Sequence, residues 1–170
     1  EIIEASFGNQ IDLDNLENYA NQAFPEYISF NQFEDQSIED GPATLGRVLF
    51  YDKKLSIDNS TACASCHIQG NAFGDPDALS QGVNGVTSRH SMRLINTKFG
   101  REPRFFWNER AENLEAQVTL PIHDHIELGF SGLDGNEDFD GLISKMEGLD
   151  YYPILFDLAF GSGDITEAGM

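Results

Sequence analysis

The 170 residues carry 29 acidic side chains against 10 basic ones, a formal charge of −19, with 40% of residues hydrophobic. That balance excludes nucleic acid and anionic membrane surfaces as partners and leaves a basic or locally complementary protein, or a plain solubility device, as its meaning. No run of about 18 apolar residues is present to span a bilayer, and the apolar share suffices for one domain around one core.

In chain order, residues 1–39 are polar with scattered aromatics and read as an N-terminal arm, within which Asp12 and Asp14 offer an acidic helix start for residues 11–20. Leu45, Val48 and Leu49 fall at i, i+3 and i+4 and predict a helix over residues 44–50 with one buried face. The run of Gly, Asp, Asn and Ser over residues 70–88 predicts a loop. Helices are expected over residues 111–118 and 137–146, the second from the spacing of Phe139, Leu142, Ile143 and Met146, and an apolar segment over 152–160 follows. There is no internal repeat, no low-complexity tract and almost no strand alternation. The expected class is all-α with long loops, divided into an arm, 1–39, and a domain, 40–170.

Between the first helix and the loop stands Cys63-Ala64-Ser65-Cys66-His67, the C-x-x-C-H pattern that attaches a c-type haem. Each thiol can add to one vinyl group of the porphyrin, and the next residue puts an imidazole under the iron, so His67 is the expected axial ligand. Three other readings fit less well. A thioredoxin-like pair needs a βαβ context that residues 47–71 lack. Zinc needs four ligands, and the chain has two Cys. A disulfide across so short a loop is strained and leaves His67 without a reason. One covalent haem c is the reading, and because thioether attachment takes place outside the cytoplasmic membrane, the chain is expected to be periplasmic, exported, with its signal peptide removed.

The pattern extends beyond the motif. Leu45-Gly46-Arg47-Val48-Leu49-Phe50-Tyr51-Asp52, Leu55-Ser56, the Cys63–His67 motif and Phe73-Gly74-Asp75 resemble the N-terminal haem domain of bacterial dihaem cytochrome c peroxidases, the family that also contains MauG-like enzymes. Phe106-Trp107-Asn108-Glu109-Arg110, Leu114-Glu115-Ala116-Gln117, Pro121 and Ile126-Glu127-Leu128-Gly129 resemble later segments of the same domain in the same order, so the likeness covers residues 41–160. It implies a cytochrome c-like haem domain in which hydrogen peroxide is reduced to water. Electrons would come from a small cytochrome c or cupredoxin through a second haem domain.

The resemblance also implies roles. Glu127 matches the carboxylate that serves as acid and base on the distal side. Gln117 matches a distal glutamine that hydrogen-bonds peroxide or water without titrating, and Trp107 matches a tryptophan lying between two haems. Taken without the family, Glu127 reads as a solvated loop residue, Gln117 as an ordinary helix position and Trp107, the only tryptophan, as core.

The departures are equally specific. In many members a histidine in the loop after the haem motif fills the sixth iron position in the resting state, and the matching residue here is Val83, which cannot ligate. A permanently accessible iron is therefore expected, as in the related enzymes that oxidise protein residues. Arg89-His90 replaces an Arg-Asn pair whose Asn helps to bind calcium, so a calcium site does not simply carry over; His90 is a substitute ligand, a haem-edge partner or a structural residue. His123, His125 and Glu127 would share one side, and hold a transition metal, only if their segment is extended; otherwise the histidines tune charge near the distal pocket or lie on its rim.

No second C-x-x-C-H occurs, so the second haem domain is absent from this chain, and the expectation is a fragment whose activity depends on that domain. Three functions compete: the peroxidatic domain of a dihaem peroxidase, a MauG-like oxidase of protein side chains, and a monohaem electron-transfer cytochrome. The last needs a permanent sixth ligand, for which Met92, Met146 and Met170 are the candidates.

Overall fold

A computed structural model of the chain describes residues 1–28, 30–31, 37–101 and 103–170. Among them six α-helices dominate: α1 (Ile2–Phe7), α2 (Asp40–Tyr51), α3 (Cys63–Cys66), α4 (Leu114–His123), α5 (Phe139–Glu147) and α6 (Tyr151–Phe160). Strand is confined to the two-residue β1 (Gln81–Gly82) and β2 (Gly85–Val86), paired antiparallel with Gln81 opposite Val86.

The core is the seam between α2 and α6, closed by α5. From α2 come Thr44, Leu45, Val48 and Leu49, from α6 Tyr152, Leu155 and Phe156, and from α5 Phe139, Leu142 and Met146. Leu142, Met146, Tyr152, Leu155 and Phe156 are wholly buried. The i, i+3, i+4 stripes read from the sequence are these buried faces. α2 begins four residues earlier than periodicity indicates, because Gly41 and Pro42 sit in its first turn, where a proline costs no hydrogen bond. α4 is displaced toward the C-terminus: the Asn113 side chain accepts from Ala116 N (2.7 Å), and that cap fixes the start at Leu114.

Two expectations in the N-terminal arm change. The helix over 11–20 does not form, since Asp12 Oδ1 accepts from Asp14 N (3.0 Å) and its carbonyl from Asn15 N, a local turn that competes with helix. The first residues, in contrast, are docked on the domain: Ile3 is 5% exposed in the core, and the Phe7 ring stands edge-on to Tyr151 at 5.1 Å. A helix this short is stable only through such packing. Part of the expected arm, residues 29 and 32–36, lies outside the described residues.

The predicted loop over 70–88 contains the β1–β2 hairpin, too short to give an alternating signal, with Val83-Asn84 as its turn. The hairpin positions the site. Val83 N donates to Glu127 O (3.1 Å), Asn84 N to Ile126 O (3.3 Å) and Asn84 Nδ2 to His125 O (2.8 Å), while Ile57 N donates to Leu128 O (2.9 Å) from the other side. A Cβ on Gly82 would collide with the Ile126 carbonyl, so only glycine lets the two backbones approach this closely.

Candidate functional site

Cys63 and Cys66 lie one helical turn apart on α3, with a hydrogen bond from Ala62 N to Ser65 Oγ (3.0 Å) holding the turn's start. Both are free thiols, and burial pushes both up, Cys63 to about 11. Ser80 Oγ is buried beside Cys66 without a partner of ordinary hydrogen-bond geometry. His67 Nδ1 lies 2.9 Å from the Phe73 carbonyl and 3.1 Å from Ser91 Oγ. A carbonyl only accepts, so Nδ1 carries the proton and the lone pair is left on Nε2, the tautomer an axial iron ligand needs. Two unpaired thiols on one turn and an oriented imidazole form a donor set that fits covalent haem c. The Phe50 ring centroid lies 6.4 Å from the imidazole and 6.0 Å from the Phe73 ring.

Glu127 sits on a shelf formed as the chain folds back along α4. Leu128 N donates to Pro121 O, Gly129 N to Asp124 O and Phe130 N to Ile122 O. Asp124 Oδ1 accepts from Ile126 N (2.8 Å) and Glu127 N (3.1 Å), closing the turn. The Glu127 carboxyl is raised to about 6, first by burial and then by the Asp124 charge, against the opposing pull of Arg110. Its own charge acts on both Cys63 and Cys66 of α3. Arg110 is exposed, its guanidinium 3.5 Å from the centroid of the Phe106 ring.

Gln117 is half-buried on α4, one turn before Pro121, which has no N–H to give its carbonyl. Trp107 is not core: it is 61% exposed, with Nε1 donating to His90 O (2.8 Å). No bond joins Gln117 or Trp107 to Glu127 among the described residues. Val83 packs against Gly129, where an added Cβ would lie 2.9 Å from Val83 Cγ2. The His90 ring is engaged in structure, its Nδ1 3.0 Å from Asp77 O.

The shared-side reading of His123, His125 and Glu127 fails. His123 ends α4, pairs with Glu167 (2.9 Å) and stacks on Phe139 at 4.7 Å, while His125 lies in the turn that follows, bonded to Ser131 (3.0 Å). The segment is turned rather than extended, and no group of three or more metal-binding side chains occurs among the described residues. Met146 is wholly buried in the core and Met170 packs against its edge, which leaves Met92 as the half-buried candidate of the three.

Sequence reasoning missed Ser91 and the charge of Arg110. Nothing local marks a serine 24 residues from His67 as its partner. Arg110 was visible inside the tryptophan segment, but its effect on Glu127 depends on the fold-back.

The family described as di-haem cytochrome c peroxidase matches residues 41–170. The methylamine utilization protein MauG of Methylophilus methylotrophus is 32% identical over 126 residues, 74% of this chain and 35% of that protein. Cytochrome-c peroxidase IdrP1 of Denitromonas iodatirespirans is 31% identical over 119 residues, 69% and 29%. The crystal structure of a MauG-like protein associated with microbial copper homeostasis superposes with a TM-score of 0.69 at 28% identity, covering 83% of this chain and 40% of the other. The chain thus spans about a third of the length of the curated relatives it matches.

Proposed function

The chain belongs to the di-haem cytochrome c peroxidase family, and from that premise we propose that it is the peroxidatic haem domain of such an enzyme, reducing hydrogen peroxide to water. Residues 40–170 form that domain behind the arm of 1–39, in the periplasm. Electrons arrive from a small cytochrome c or cupredoxin through a second haem domain. Cys63 and Cys66 would hold one haem c by thioether bonds, and His67 Nε2 would ligate its iron. When bound, the haem supplies the iron at which the oxygen–oxygen bond of peroxide is reduced.

The observation that carries the reading is Glu127: a half-buried carboxyl, clamped by backbone on both sides, raised to about 6 and close to both haem cysteines. A group poised near neutrality can take a proton and return it. Glu127 takes the proton of the near peroxide oxygen and delivers it to the far one, which leaves as water. Gln117 donates to the bound peroxide without titrating. Trp107, exposed and tethered to His90, passes electrons toward this site from the second haem domain.

Val83 supports a second reading, MauG-like oxidation of a partner protein's side chains, because a valine at this place leaves peroxide access open without prior reduction. Both readings require one covalent haem, which haem staining of the denatured chain checks; haem that extracts into acid-acetone contradicts both. They also share the acid-base step. Rapid mixing with peroxide is expected to show Glu127→Gln slowed about 100- to 10,000-fold with haem content intact. Unaltered kinetics would remove Glu127 from the mechanism.

A further inference from the structure

Where the end of α2 meets the start of α6, three residues form a cluster that the peroxide chemistry does not use. Tyr151 and Tyr152, the first two residues of α6, both donate to one oxygen, Asp52 Oδ2, at 2.6 and 2.8 Å. Asp52 caps α2, and its other oxygen accepts from Lys54 N (2.8 Å). The two rings lie 4.6 Å apart, centroid to centroid. Tyr152 is wholly buried and within electrostatic reach of the Cys63 sulfur, whereas Tyr151 is half-buried with Phe7 against its edge.

We propose that Tyr152 and Tyr151 are an internal electron source for the haem, an oxidisable phenol pair that uses Asp52 as its common proton acceptor.

The inference rests on the haem reading for Cys63, Cys66 and His67. A tie between α2 and α6 alone would not call for this chemistry, since burying a carboxylate and two hydroxyls costs more than an apolar contact of the same shape. What the arrangement supplies is a proton acceptor already hydrogen-bonded to a phenol beside the haem-attachment turn. Burial and the Asp52 charge push both phenols well above the ordinary tyrosine range, so neither ionises first, and proton and electron must leave together.

The balance closes as follows. Reduction of one peroxide to two waters takes two electrons and two protons, and without donor the haem site would be left two electrons short, of which the tyrosine pair returns one and the external donor must supply the other. Tyr152 supplies one: its O–H bond breaks, the electron goes to the haem site and the proton to Asp52 Oδ2, leaving a neutral phenoxyl and a carboxylic acid. Asp52 then returns that proton to Tyr152 as Tyr151 gives Tyr152 an electron and its own proton to Asp52. The radical thereby moves from the buried ring to the half-exposed one.

The test oxidises the haem-loaded chain by one electron with a flash-excited ruthenium photosensitiser and a sacrificial quencher, so that its outcome does not depend on peroxide. Paramagnetic resonance of freeze-trapped protein is expected to show an organic radical whose hyperfine pattern collapses when the tyrosines are ring-deuterated. It should be lost in the Tyr151→Phe, Tyr152→Phe double variant and form about 100-fold more slowly in Asp52→Asn, which keeps a hydrogen-bond acceptor but takes no proton. Haem staining and circular dichroism confirm that the variants are folded. A radical that persists in the double variant, or no tyrosyl signal in the parent chain, overturns the proposal. The peroxidase reading is tested apart from it: peroxide that leaves the haem absorption of the parent chain unchanged counts against that reading alone.

Discussion

The molecule holds two carboxylates, Asp52 at the end of α2 and Glu127 in the fold-back after α4, and treats them in opposite ways. Asp52 is saturated, accepting from two tyrosine hydroxyls and a backbone amide. Glu127 is fixed just as firmly through its backbone, by Val83 on one side and Asp124 on the other, yet no hydrogen bond reaches its carboxyl oxygens among the described residues. Among the described residues the charge that opposes its burial is that of Arg110, which burial outweighs. Glu127, positioned but unsatisfied, is free to exchange a proton with a small molecule, whereas Asp52, held by two phenols, ties α2 to α6 and can take a proton only from those phenols.

Substituting the two carboxylates is the sharpest way to break this contrast. Glu127→Gln is expected to lower the peroxide step by about 100- to 10,000-fold without lowering the denaturation midpoint. Asp52→Ala is expected to do the reverse. It strands the fully buried Tyr152 hydroxyl and removes the side-chain cap of the 3-10 turn Lys53–Leu55, a loss of about 2–5 kcal/mol by denaturant unfolding, with the peroxide step little altered in the folded fraction.

Linkage gives a smaller effect of defined sign. The Glu127 carboxyl titrates at about 6 when folded against an ordinary 4.5, so the folded chain binds the extra proton in that interval. Stability from this group is therefore complete below about pH 4.5 and is lost as pH rises through about 6, by about 1–2 kcal/mol relative to Glu127→Gln. Unfolding curves of both proteins across that range check it; parallel curves would mean that the carboxyl is not raised. The smallest effect belongs to Arg110→Ala. Loss of the one charge that lowers Glu127 should move its titration upward by less than about one unit, read from the pH dependence of the peroxide step.

Much of the fold was legible because its signals are local. The buried stripes of α2 and α5 follow from helical spacing, and the haem motif carries its chemistry in five consecutive residues. What was not legible depends on contacts across long stretches of chain. Asp52 meets tyrosines about a hundred positions away. The hairpin around Val83 is too short to show alternation, and only the fold-back places its backbone against Glu127. Taken without the family Trp107 reads as core because tryptophan usually is, whereas it is exposed, with its Nε1 bonded to the His90 carbonyl. His123 and His125 looked like a pair in sequence, and the end of α4 between them sends each to a different partner.

The central claim is that the unsatisfied carboxyl of Glu127 moves the proton, and the pH–rate profile of the peroxide step tests it most directly. Rapid mixing of haem-loaded protein with peroxide should give a rate that rises with pH along a single limb centred near pH 6, as Glu127 ionises and becomes a base. In Glu127→Gln that limb should be gone and the residual rate flat. The same limb persisting in the variant would contradict the account and assign the proton to another group, with His123 and His125 the first to examine.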